Sequence, residues 1–168
     1  MRKNLYFIRH AEPQLKDGQK QNLTVRGTRQ ARQRALQLRR LITQPESTVI
    51  LHADVPRCQE TATILALSLD VPIEAAALRL NYADRLVLSD FQSKYSLYQA
   101  SHKKLGIESP SEYSARIEAL VRARGEQTII LVGNEVPLRI LLTHLAKRPD
   151  AMLEHATCIG PIFISDKV

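Results

Sequence analysis

The chain predicts an α/β fold, a three-layer α/β/α sandwich around a mainly parallel central sheet. Three observations carry that expectation. Short apolar runs take turns with amphipathic stretches along the chain. The central runs are apolar throughout, as strands covered on both faces must be. At 168 residues, 44% of them hydrophobic, there is enough chain for one sizeable core, so residues 1–168 are read as a single domain.

Asn4 to Arg9 reads as the first strand, aromatic and β-branched without a helical period. A polar loop containing Gly18 follows, and Thr24 is placed to N-cap a helix whose Ala31, Ala35, Leu38 and Ile42 recur at helical spacing until Pro45 ends it. Thr48 to His52, "TVILH", is a second strand. Asp54 is a candidate cap for a helix starting near Pro56 and carrying Thr61, Ile64, Leu65 and Leu69. "SPSE", Ser109 to Glu112, is a capping box with proline at the first helical position, and that helix should stop at Gly125. The strand Thr128 to Val132 comes next, then a helix from about Val136 to Lys147 that buries Leu138, Leu141, Leu142 and Leu145. "CIGPIFIS" supplies a closing strand, which Pro161 marks as an edge. Leu78 to Leu105 gives no readable element.

Composition excludes several classes of function. No stretch approaches the roughly 18 apolar residues of a membrane span, and the early apolar run is too short for a signal-peptide core, so the expected compartment is the cytoplasm with no membrane partner. Cys58 and Cys158 lie far apart without metal-ligand spacing and are read as reduced thiols. Twenty-four Lys and Arg against 17 Asp and Glu give a formal charge of +7, which favours anionic partners. Arg26, Arg29, Arg32, Arg34, Arg39 and Arg40 raise the possibility of nucleic acid, but they lie along one amphipathic helix and read as its solvated face. With three Phe, five Tyr and no Trp there is no stacking platform for bases.

In an open α/β sheet, ligands bind beyond the carboxyl ends of the strands. The first strand ends in Arg9 and His10, the second is followed by Arg57, and the strand at Thr128 is followed by Gly133, Asn134 and Glu135. Two arginines and a histidine at one sheet edge suit a tetrahedral oxyanion such as phosphate, because planar guanidiniums match its geometry. The plainer alternative is that Arg9 pairs with a carboxylate and His10 is a satisfied capping histidine.

At these residues the chain resembles the histidine phosphatase superfamily, which includes cofactor-dependent phosphoglycerate mutase and the small phosphohistidine phosphatases. "RHAE", Arg9 to Glu12, is similar to the family's Arg-His-Gly motif with Ala11 in the glycine place. "LTVRGTRQA", Leu23 to Ala31, resembles Leu-Thr-x-x-Gly-x-x-Gln-Ala, and "ADVPRCQETA", Ala53 to Ala62, keeps the arginine and Thr-Ala pair of Ser-Pro-Leu-x-Arg-Ala-x-x-Thr-Ala. "GIESPSEYSAR", Gly106 to Arg116, resembles the family's Gly-Glu-Ser element. The resemblance implies a phosphoglycerate mutase-like fold and a catalytic set of His10, Arg9 and Arg57. His10 would be a nucleophile that forms a phosphohistidine, and Arg9, Arg57, Asn134 and Thr24 would contact phosphate. It implies no metal and no cofactor.

Two positions depart from the family pattern. The second histidine of its Ser-His-Gly-like turn is Asn134 here, which can donate a hydrogen bond but supplies no positive charge, a loss of ~10²–10³ in rate by analogy with oxyanion-site deletions. The usual proton-donating glutamate is replaced by Leu80, leaving Asp84 and Glu135 as candidate donors. His52 could rim the pocket; His102, His144 and His155 match no motif position. Two functions therefore stand: a phosphatase acting on a phosphorylated small molecule or phosphoprotein, favouring phosphohistidine or similarly labile groups, and a degenerate pseudophosphatase that binds a phosphate-bearing ligand or partner.

Overall fold

The computed structural model describes residues 2–16, 19–79, 108–147 and 153–165. The strands are β1 (Arg2–Arg9), β2 (Pro13–Lys16), β3 (Gln19–Leu23), β4 (Thr48–Ala53), β5 (Ile73–Ala76), β6 (Thr128–Gly133) and β7 (Cys158–Ser165). The helices are α1 (Val25–Leu38), α2 (Pro56–Leu69), α3 (Pro110–Arg122) and α4 (Glu135–Ala146). The main sheet has the order β5-β4-β6-β1-β7, parallel except for β7 at one edge. The helices α1 and α2 pack together, as do α3 and α4, and the pairs flank the sheet as a three-layer α/β/α sandwich.

Strands β4 and β6 are buried from end to end, and β1 from Leu5 to Ile8. Leu5, Phe7, Ile8, Val49, Ile50 and Ile129 to Val132 are fully enclosed, which is why their sequences are apolar without alternation. The capping box forms as expected: Ser109 accepts from the Glu112 amide while Glu112 reaches back to the Ser109 amide. Thr24 caps α1 by accepting from the Gly27 amide at 2.8 Å.

Four details differ from expectation. Asp54 is not the cap of α2; Val55 occupies that place without a side-chain bond. Helix α1 stops at Leu38, and Ile42 reaches the core from the turn beyond it. The expected loop after Glu12 instead carries the β2–β3 hairpin, whose polar strands have no apolar alternation to announce them. The four-residue edge strand β5 was not among the expected strands.

The segment after β1 is fixed by side chains from two helices. Thr61 of α2 accepts from the Ala11 amide at 3.1 Å and donates to the Arg57 carbonyl at 2.7 Å. Gln30 of α1 accepts from the Glu12 amide at 3.0 Å, and the Glu12 carbonyl accepts from the Thr24 amide at 3.0 Å. Gly27 lies against that carbonyl so closely that a Cβ would collide with the Glu12 oxygen, which is backbone and cannot swing away. Gly27→Ala is therefore expected to destabilise the protein by about 1–3 kcal/mol, as overpacking does, read as a lower urea midpoint at unchanged slope.

Candidate active site

Three strand ends converge as the topology requires. Arg9 pairs with Gly133 in the β1–β6 register, and the His10 amide donates to the Gly133 carbonyl at 3.0 Å. On the other side the Ala156 amide donates to the Arg9 carbonyl at 3.1 Å. Arg57 enters from the first turn of α2, and Asn134 and Glu135 open α4.

His10 is buried, 2% exposed, with Nδ1 2.8 Å from the Ala11 carbonyl oxygen. A carbonyl only accepts, so Nδ1 carries the proton and Nε2 keeps its lone pair. Burial pulls the His10 pKa well below 6.5; the Ala11 bond opposes this, while Arg57, Arg9 and His155 add to it. The ring is thus a neutral imidazole at neutral pH with its free nitrogen poised as a nucleophile. Both thiols are ruled out of that role, since burial pushes Cys58 up to about 12 and Cys158 to about 11.

Each guanidinium of the expected cradle already holds a protein oxygen. Arg9 Nη1 lies 3.0 Å from Glu135 Oε2 and donates to the Leu153 carbonyl at 2.5 Å, while its buried Nε has no acceptor among the described residues. Arg57 donates through Nε and Nη2 to Asn134 Oδ1 at 3.0 and 2.7 Å. Asn134 occupies the N-cap of α4 yet makes no side-chain cap bond, because its carbonyl turns to Arg57 instead. Its amide nitrogen is the group left to donate. Glu135 Oε1 lies 3.5 Å from Arg139, one helical turn along, so both carboxylate oxygens face cations.

His10, Arg9, Arg57, Asn134 and Glu135 are brought together. Thr24 is not free to join them: its one hydroxyl proton goes to Glu12 Oε1 at 2.9 Å, and its oxygen caps α1. Asp84, Leu80 and His102 lie outside the described residues. Glu135 has neither oxygen clear of a guanidinium, which suits an anion surrogate better than an acid aimed at a leaving group. His52 is buried with Nδ1 3.1 Å from its neighbour's carbonyl, and His144 sits in the last turn of α4. Arg116 grips Glu108 at 2.9 and 2.5 Å.

Two residues were missed. His155 stands with its ring centroid 5.6 Å from that of His10, and no motif announced it, since the turn before β7 reaches the site only through sheet pairing. Arg139 had one available signal, its i,i+4 spacing from Glu135. No group of three or more metal-ligating side chains occurs among the described residues. An open cavity of about 440 Å³ beside Glu46 and Arg124 lies by the amino end of β6, and its arginine is already shared by Glu74 and Glu126.

Because the folded protein holds His10 neutral below pH 6.5, the unfolded chain takes up a proton there that the native state refuses, and stability falls as pH drops. The lowered Glu74 and Glu126 carboxylates contribute only further down, below 4.5. Urea melts between about pH 7.5 and 5.5 should show declining stability in the protein and a flatter profile in His10→Asn.

Residues 5–81 match the family model of the histidine phosphatase superfamily (branch 1). The chain matches no curated protein by sequence. Among solved structures, it is similar to a phosphoserine phosphatase variant from Entamoeba histolytica in complex with phosphoserine, at TM-score 0.68 and 15% identity over 98% of this chain and 95% of that one. It is similar to a phosphoglycerate mutase from Bacillus anthracis, at 0.65 and 16% over 99% and 92%. A mycobacterial glucosyl-3-phosphoglycerate phosphatase matches at 0.65 and 18% over 95% and 90%. At these identities the structures speak for the fold alone. No helix among the described residues is long and apolar enough to cross a membrane. Residues 5–81 thus resemble the histidine phosphatase superfamily in sequence, and the chain has a phosphoglycerate mutase-like fold.

Proposed function

We propose that the protein is a phosphatase that works through a phosphohistidine on His10. The observation that carries this reading is the imidazole itself: buried, neutral, its tautomer set by the Ala11 carbonyl, with guanidiniums of Arg9 and Arg57 close enough to act on its charge. Nε2 attacks phosphorus in line as the bond to the leaving oxygen or nitrogen breaks, and the electron pair departs with the leaving group. Arg9 and Arg57 hold the equatorial oxygens and stabilise their charge, so the scheme uses no metal. Water then breaks the N–P bond, releasing phosphate and restoring the imidazole.

The substrates favoured are those with good leaving groups. With Asn134 in the usual histidine place and Glu135 tied to Arg9, no described carboxyl is aimed to protonate a poor one. Phosphohistidine and comparably labile phosphates, on a small molecule or a phosphoprotein, fit that restriction. The names of the similar structures, phosphatases among them, support the same class of chemistry.

A second reading, a binding module that has lost turnover, is favoured by one observation: oxygens of Glu135 and Asn134 already sit on the two arginines. Single-turnover phosphate release from p-nitrophenyl phosphate and from a phosphohistidine substrate separates the two. The phosphatase reading predicts activity abolished in His10→Ala and raised in Asn134→His by up to ~10²–10³. Equal rates for the protein and His10→Ala on both substrates would leave the binding module.

A further inference from the structure

The solvent face of α1 carries a charge pattern that its own fold does not use. Gly27, Ala31, Ala35 and Leu38 form the buried side. On the opposite side Val25, Arg29, Arg32 and Leu36, spaced i, i+4, i+7 and i+11, fall on one exposed line about 17 Å long. Arg39 and Arg40 extend it through the turn after Leu38. Between Asp17 and Glu46 the chain has no acidic residue.

Helix stability does not explain that composition. The amino end of a helix favours negative charge, yet the first turn of α1 holds Arg26 and no carboxylate; Glu12, from the segment after β1, lies 3.5 Å from it. Arg29 stands three residues from both Arg26 and Arg32, a spacing at which like charges repel. Glutamate matches arginine in helix propensity, so propensity selects no all-cationic face. The fold employs Arg34, through the Ala156 carbonyl and Gln37. The guanidiniums of Arg29, Arg32, Arg39 and Arg40, by contrast, hold no carboxylate among the described residues. Large apolar side chains stand in the same line, Val25 at 72% and Leu36 at 60% exposed.

We propose that this face of α1 is a docking surface for an acidic protein partner, an amphipathic helix whose apolar side chains cover Val25 and Leu36 and whose carboxylates meet Arg29, Arg32, Arg39 and Arg40. Charge complementarity sets the partner's sign. The use of arginine sets its chemical group, since a guanidinium holds a carboxylate through two parallel N–H donors. Val25 and Leu36 favour protein over nucleic acid, because a phosphate backbone offers them no apolar contact. Leu36 is one turn from Arg32, so a partner that buries the leucine brings its flanking carboxylates to that guanidinium. A line of about 17 Å matches roughly three turns of a partner helix, the scale of a small, transient interface. Docking here is independent of the chemistry at His10.

The test is fluorescence anisotropy of the full chain with a labelled helical peptide carrying Leu and Glu along one face, and with a peptide of the same composition in scrambled order. An RNA hairpin and phosphatidylserine vesicles serve as competing surfaces. The ordered peptide should bind at least about tenfold more tightly than the scramble. Its binding should weaken as salt rises. The advantage should vanish in the double variant Arg29→Glu, Arg32→Glu and in Leu36→Ser, with melting temperature unchanged or raised in the double variant because repulsion along the helix is removed. No binding of the ordered peptide, equal binding of the two peptides, an advantage that survives both variants, or tighter binding to the hairpin or the vesicles overturns the docking surface. A melting temperature lowered by Arg29→Glu, Arg32→Glu would also overturn it, since the arginines would then serve the fold.

Discussion

Everything at the candidate site hangs from the carboxyl end of β1, which is hydrogen-bonded on both sides. On one side β6 runs parallel to it and meets Arg9 at Gly133; on the other β7 returns antiparallel, and the turn before it donates to the Arg9 and His10 carbonyls. A strand held along both edges at the centre of a buried sheet cannot shift register without turning its apolar side chains out of the core. Arg9 and His10 are thereby aimed by backbone pairing, and Thr61 and Gln30 fix the two residues that follow.

This placement gathers cations. Arg9, Arg57 and Arg139 come from three different elements, and burial lowers the pKa of Arg9 and of Arg57. Partly buried guanidiniums need oxygen partners, and the chain supplies them from consecutive residues, Asn134 and Glu135. The oxygens a phosphate would bring are already approximated by an amide carbonyl and a carboxylate. On the phosphatase reading proposed above, a phosphate would displace at least the carboxylate, which would tie its affinity to the residue that holds Arg9. That single arrangement accounts for both a restrained enzyme and a binding module.

The parts of the fold legible in the sequence are those governed by local chemistry. Leu5 to Ile8 and Thr48 to His52 announce buried strands by uninterrupted apolar residues, and Ser109 to Glu112 announces a helix start by reciprocal capping. The β2–β3 hairpin and β5 were not legible because little apolar surface is buried by their short strands. At the candidate site, the rule that ligands sit beyond strand ends pointed to Arg9, His10, Arg57, Asn134 and Glu135, which the fold brings together. Thr24 shows its limit, since an N-cap and a phosphate donor have the same sequence signature and the hydroxyl's proton goes to Glu12. His155 lies beyond the reach of any local rule, because its position beside His10 is produced by β7 returning along β1.

The most direct measurement of the central claim is the affinity for vanadate, a phosphate mimic, in the protein and in Glu135→Gln, with melting temperature recorded to confirm that both are folded. Glutamine keeps the side chain's size and removes its charge. If Glu135 is the internal anion of the Arg9 side of the cradle, vanadate should bind about tenfold or more tightly to the variant. Equal or weaker binding would show that the carboxylate does not compete for the oxyanion position, and the account of a self-occupied phosphate cradle would be wrong.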